Sequence, residues 1–141
     1  STQMAVRYTY GGKQYYQIYN LAKGRFINPR NPVKRICLSA TSGDFQGFDL
    51  YGTSIYTIEG SPRKSFLLGY DRSRRYQPTK IRRYNYAVRS KKTITVRGAK
   101  TLSFREPEGI KVLAGGQIYM MYVSNTLTNQ SCNIYRVKRK I

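Results

Sequence analysis

Apolar and polar residues alternate with a period of two along most of this chain. "MAVRYTY" (4–10), "KQYYQIYN" (13–20) and "VKRICLSA" (33–40) place β-branched or aromatic side chains in the pattern of half-buried strands. The pattern continues in "FDLYGTSIYTIE" (48–59), "KSFLLGY" (64–70), "IRRYNYAVR" (81–89) and "KTITVRG" (92–98). It closes with "TLSFRE" (101–106), "GQIYMMYVS" (116–124) and "CNIYRVKRK" (132–140). Gly11-Gly12 predicts a tight turn between the first two strands. Loops are predicted over "GRFINPRNP" (24–32), "SGDFQG" (42–47) and "DRSRRYQPTK" (71–80). No window shows capped helical spacing, so at most one short helical turn is expected, near 18–23.

About ten short strands with Gly, Pro and Asn turns between them predict an all-β sandwich or barrel. The fold class expected is a single antiparallel eight-stranded jelly-roll sandwich, one domain spanning 1–141. A β-trefoil is the alternative. "YQIYNLAKGRF" is similar to a trefoil lectin repeat, but the motif does not recur in the two later thirds. An immunoglobulin-like sandwich fits less well, because Trp is absent and the cysteines are badly spaced for it.

Charge changes the picture most. The 141 residues carry 26 Lys and Arg against 6 Asp and Glu, with no His, for a formal net charge of +20. So lopsided a folded chain repels itself, which points to a polyanionic partner. Nucleic acid comes first and an anionic membrane second. No apolar run approaches the ~18 residues of a membrane helix, and "STQMAVRYTY" lacks the apolar core of a signal peptide. The absent initiator Met suggests trimming or a missing N-terminal arm. Cys37 and Cys132 form no C-x-x-C pair and have no His to complete a zinc site. They are expected as two buried free thiols. Asn129-Gln130-Ser131 is a formal glycosylation sequon, read as chance in a chain with no secretion signal.

Little here suggests an enzyme. Without His the commonest general base is missing, together with every Ser-His or Cys-His pairing. The acids are scattered, and Glu106-Pro107-Glu108 reads as a solvent-facing pair at a turn or strand end. No glycine-rich phosphate loop is present. Hence no catalytic residue, cofactor, metal or small-molecule substrate is expected.

The basic residues fall in clusters, the middle ones interleaved with Tyr70, Tyr76, Tyr84 and Tyr86. Cations neutralise phosphates regardless of sequence, and aromatic rings give single-stranded bases a surface to stack on. A tyrosine is also simply a good strand residue. The nucleic-acid candidates are Arg82, Arg83, Arg89, Lys91 and Lys92 for phosphates, and Tyr84 and Tyr86 for stacking. Alternation puts Arg83 on the face opposite Arg82, Tyr84 and Tyr86. Arg136, Lys138, Arg139 and Lys140 are added from the closing segment, where alternation predicts a continuously positive strand face. Phe26 and Phe45, in predicted loops, are candidates for a subunit interface.

"IYMMYVSNTLTNQSCNIYRVKRKI" resembles the last two strands of jelly-roll capsid proteins of small circular single-stranded DNA viruses, such as geminiviruses, nanoviruses and circovirus-like viruses. Ile118, Tyr119, Met120, Tyr122, Ser124 and Asn125 fill the first strand pattern, Ile134 and Tyr135 the second. "RRYNYAVRSKKTITVRGAKTLSFREP" resembles their basic strand pair, so the likeness covers 78–141. A satellite virus capsid would look much the same. The resemblance implies a structural protein of the virion, assembled in the host nucleus or cytoplasm as a homo-oligomer of about 60 copies in a T=1 icosahedral shell. It implies single-stranded nucleic acid as partner, DNA favoured over RNA, and no membrane. Such a shell would hold on the order of 1,200 positive charges, on the scale of a genome of one to two thousand nucleotides. These capsids usually begin with an Arg-rich arm, whereas Ser1 to Gly12 contains only Arg7. Either the arm is missing from this chain or the clusters in its body do that work. The rivals are a ribosomal or single-strand-binding β-domain and a sugar-binding β-trefoil.

Overall fold

A computed structural model describes residues 2–21, 28–39, 44–61, 78–99, 102, 105–125, 129–139 and 141. The described residues are all-β, with ten strands in three antiparallel sheets. Its contacts cluster into two compact units, residues 1–42 and 43–141.

The first unit holds β1 (Thr2–Tyr10), β2 (Lys13–Leu21) and β3 (Lys34–Leu38), with β2 central. Gly11 and Gly12 join β1 to β2 with φ of 55° and 72°, the left-handed pair that matches strand twist in a two-residue hairpin. Tyr16, Ile18 and Ile36 share one face and are buried. The other face carries Tyr8, Tyr10 and Tyr15, none of them buried.

The second unit contains two meanders. One orders β4 (Phe45–Tyr51), β5 (Ser54–Glu59), β6 (Thr79–Asn85) and β7 (Ser90–Val96). The other orders β8 (Glu106–Leu113), β9 (Gln117–Asn125) and β10 (Gln130–Arg136). Ile58 and Ile81 from the first sheet meet Val112, Ile118, Met120 and Tyr122 from the second, and Ile141 joins this core. Within it the Arg105 guanidinium lies 4.3 Å from the Tyr122 ring centroid and donates to Tyr122 Oη at 2.6 Å. Tyr122 Oη donates in turn to Thr79 Oγ1 at 2.9 Å. A cation and two hydroxyls are thereby accommodated in an apolar interior.

The two sheets meet edge to edge along β4 and β8. Asp49 Oδ2 accepts from the Val112 backbone N–H at 2.7 Å, and Oδ1 accepts from Lys111 Nζ at 3.0 Å. The Gly115 N–H donates to Tyr51 Oη at 3.0 Å, and Gln46 Nε2 donates to Glu106 Oε1 at 3.1 Å. The approach requires glycine at position 60, where a Cβ would fall 2.9 Å from Pro107 Cγ.

Several sequence-based expectations need correction. The all-β class expected from the sequence is found, but the described residues form ten strands, not the eight expected, and every hydrogen-bonded neighbour among them is the next strand in sequence. Sheets of three, four and three strands do not form the equivalent thirds of a trefoil either. β8 is not apparent in the sequence, because Pro107 and Gly109 interrupt it; the structure places them at a bulge on an edge strand, where a missing donor is tolerated. Residues 18–21 are strand, and the helical turn is a single 3₁₀ turn at Ala114–Gly116. The predicted strand 64–70 lies outside the described residues.

If Asp49 closes the β4–β8 edge, Asp49→Ala should cost about 1–3 kcal/mol in urea unfolding, because it orphans the Val112 N–H. Lys111→Ala should cost less than about 1 kcal/mol, because its side chain is largely exposed. Equal losses would show that the ion pair, and not the backbone hydrogen bond, holds the edge.

Candidate nucleic-acid interface

The β6–β7 hairpin collects most of the basic residues singled out in the sequence. Its register pairs Arg82 with Thr93, Arg83 with Lys92 and Tyr84 with Lys91. Arg82, Tyr84 and Lys91 therefore share one face, and Arg83 and Lys92 the other. Lys91 Nζ stands 5.9 Å from the Tyr84 ring centroid, within cation–π range. Tyr86 departs from the strand face assigned to it. It lies in the turn after β6, where its N–H donates to the Thr53 carbonyl at 2.9 Å and its hydroxyl to the Gly52 carbonyl at 3.3 Å. It thus pins two hairpin tips together. Arg89 is exposed at the same tip with φ of 51°, a backbone region uncommon for a side chain of this size.

Two of the arginines have internal partners. Arg82 Nε sits 2.9 Å from Glu59 Oε1, and Glu59 is 1% exposed. Thr57 Oγ1 donates to the same oxygen at 3.5 Å. Burial raises the Glu59 carboxyl above its ordinary value, against the pull of Arg82 and Lys80. Arg83 donates from Nε to Ser54 Oγ at 3.1 Å and from Nη1 to the Ile141 carbonyl at 3.0 Å. It borders a cleft of about 360 Å³ walled by Tyr51, Tyr56, Gly115 and Gly116.

The closing segment does not form the positive strand face expected of it. β10 stops at Arg136, the Val137 N–H still donates to the Ile118 carbonyl at 2.9 Å, and Lys138 and Arg139 then form an exposed bend. Ile141 turns back into the core, so the chain bends where its apolar residues are claimed. Arg136 shares the outer face of β10 with Cys132 and with Ile134, which is 72% exposed. Arg83 thus meets the closing segment, while Arg136 is on the sheet face away from the core. Lys140 lies outside the described residues.

Phe45 begins β4 instead of lying in a loop, is half-buried, and packs on Phe48 with ring centroids 6.3 Å apart. Phe26 lies outside the described residues, as do Arg72, Arg74, Arg75, Tyr70 and Tyr76. Both cysteines are free, but they are exposed, not buried, since each sits on an edge strand away from a core face. Glu106 is not solvent-facing either. It is half-buried against Gln46, and burial, with Glu108 adding to it, raises its carboxyl. Among the described residues no group of three His, Cys, Asp or Glu could hold a metal ion, and no helix is long and apolar enough to cross a membrane.

Because Glu59 and Glu106 hold their protons more tightly folded than unfolded, stability should rise as pH falls toward the ordinary carboxylate value near 4.3. The melting temperature should be higher at about pH 4.5 than at about pH 7, and Glu59→Gln should reduce that difference. A melting temperature that drops over this interval would contradict the assignment.

Any functional assignment therefore depends on this chemistry and on the resemblance noted in the sequence. No protein-family model matches the chain, and neither does any curated protein or solved structure.

Proposed function

We propose that this chain is a viral capsid protein that assembles into a small icosahedral shell and packages single-stranded nucleic acid through sequence-independent contacts. The observation that carries this reading is where the carboxylates lie. Asp49, Glu59 and Glu106 are each engaged in internal bonds, and Asp44 accepts from the Ser61 hydroxyl. Most of the positive charge is thus left without an internal counter-ion. A surface of that kind is suited to phosphate, whose own counter-ions are released on binding. The packed sheets of residues 43–141 take the part of the jelly-roll wall, and the capsid-like pattern falls on β6 to β10. Ile118, Met120 and Tyr122 of that pattern are buried, as wall positions require.

The exposed bend at Lys138 and Arg139 faces the packaged strand in this reading, and Phe45 approaches a neighbouring subunit. A non-viral nucleic-acid-binding β-domain would share the charge but remain a 16.3 kDa species.

Size-exclusion chromatography with light scattering, followed by negative-stain microscopy, should give closed particles of about 1 MDa, the mass of a shell of about 60 copies. A monomer under all salt conditions would favour the rival. Lys138→Gln with Arg139→Gln should lower the 260/280 absorbance ratio of the particles while leaving the melting temperature within about 1 °C, since exposed charges contribute little to stability. A collapsed melting temperature with unchanged nucleic-acid content would mean the bend is structural.

A further inference from the structure

Residues 1–42 contain seven Lys and Arg and neither Asp nor Glu. Their three-stranded sheet buries Tyr16, Ile18 and Ile36 on one face, while on the other Tyr19 is buried and Tyr8, Tyr10 and Tyr15 are not. On that second face Tyr8 and Tyr15, both partly exposed, are cross-strand partners, with ring centroids 5.2 Å apart and planes 11° apart. Tyr10, 75% exposed, follows Tyr8 on the same face, with Lys13 as its own cross-strand partner. Cys37 lies beside Tyr15 on β3, a small residue on an edge strand. Arg35 stands two residues along β3, its guanidinium 3.2 Å from the Gln17 amide.

We propose that the Tyr8–Tyr15 face of the β1–β2–β3 sheet is a stacking platform for the bases of single-stranded DNA, with Lys13 and Arg35 taking the flanking phosphates. This deepens the capsid reading and rests on its nucleic-acid-binding part. Two parallel, partly exposed rings already form a short column, and a base laid against either outer ring face extends it. Stacking accepts any base, because every base has a π-face. A duplex has its bases paired inside and offers nothing to the rings. Reading a ribose 2′-hydroxyl takes a hydrogen-bonding partner. The amide of this face, Gln17, is already held between the Tyr19 hydroxyl at 2.6 Å and Arg35 and is not free to read a 2′-hydroxyl, and the deoxy strand is the partner we assign. The Cys37 side chain beside it, and then burial, raise the Tyr15 phenol, so the ring adds no negative charge beside a phosphate.

The two exposed cysteines supply the test. The purified chain is mixed with a short oligo(dT), binding is followed by fluorescence anisotropy, and alkylation by a maleimide is followed by mass spectrometry. Bound oligo(dT) should slow modification of Cys37 about tenfold and leave Cys132 unchanged, because a base stacked on Tyr15 covers the neighbouring thiol. Tyr15→Leu should weaken oligo(dT) binding about tenfold, within the range for one lost base stack, while Tyr15→Phe keeps it. Duplex affinity should be unaffected by either change. Arg35→Gln should reduce the salt slope of oligo(dT) binding by about one phosphate contact. If oligo(dT) binds but Cys37 and Cys132 are modified at unchanged or equally slowed rates, the platform is refuted and the packaging proposal stands. If oligo(rU) binds more tightly than oligo(dT), the DNA assignment is wrong. If neither oligonucleotide binds, both proposals fail.

Discussion

The scarcity of carboxylates governs this molecule. Six acids must serve a chain with 26 cations, and four of the five described ones are drawn into its internal bonds. Asp49 satisfies a strand edge, Glu59 holds Arg82, Glu106 accepts from Gln46, and Asp44 accepts from Ser61. Glu108 remains exposed beside its bulge. An acid used in this way fixes backbone or side-chain geometry but does little to offset distant positive charge, which solvent screens over about a Debye length. The fold thus concentrates its own negative charge at a few joints and presents cations at hairpin tips, edge strands and the closing bend.

The same economy shapes the sheets. β4 and β8 would each have an open edge, and an open edge invites foreign strands. Asp49 and Tyr51 instead bond backbone donors at Val112 and Gly115. The other borders of the two meanders are guarded differently. β7 carries Lys91 and Lys92, exposed charges that discourage edge-to-edge pairing. β10 has Arg136 but also the exposed Ile134 and Cys132. Position within the sheet, and not distance along the sequence, therefore decides which basic residues can meet a partner.

Alternation made the strands legible, and the turn glycines made the first hairpin legible. It could not reveal β8, where Pro107 and Gly109 look like breakers until the edge position and bulge are known. It also could not tell that Val137 and Ile141 would draw the chain out of the strand and into a bend. The tyrosines illustrate the limit most clearly. Tyr84 and Tyr86 attract notice because they sit beside arginines in sequence, yet Tyr86 proves to be a clasp between turns. Tyr8 and Tyr15 are seven positions apart, and only the β1–β2 register makes them neighbours. Glu59 was one of six scattered acids in the sequence, and its burial depends on β5 being covered on both faces.

The consecutive order of strands has a consequence for how the chain folds. Within each sheet every pairing is made between a strand and the next one along, so hairpins can close in microseconds once their residues are available. Five of these seven closures span connections of only two to four residues and cost little chain entropy, whereas β2–β3 and β5–β6 are joined by longer segments. The β4–β8 contact is different, because it joins residues as far apart as Asp49 and Val112. It cannot form until the intervening hairpins exist, which makes it a late event in folding. During synthesis from the N-terminus, the β1–β2–β3 meander emerges complete while the edge that Asp49 must find is still unmade. Growing chains would therefore display an unclosed β4 edge for the time needed to translate residues 52–112, and that interval is when this protein is most exposed to wrong strand pairing.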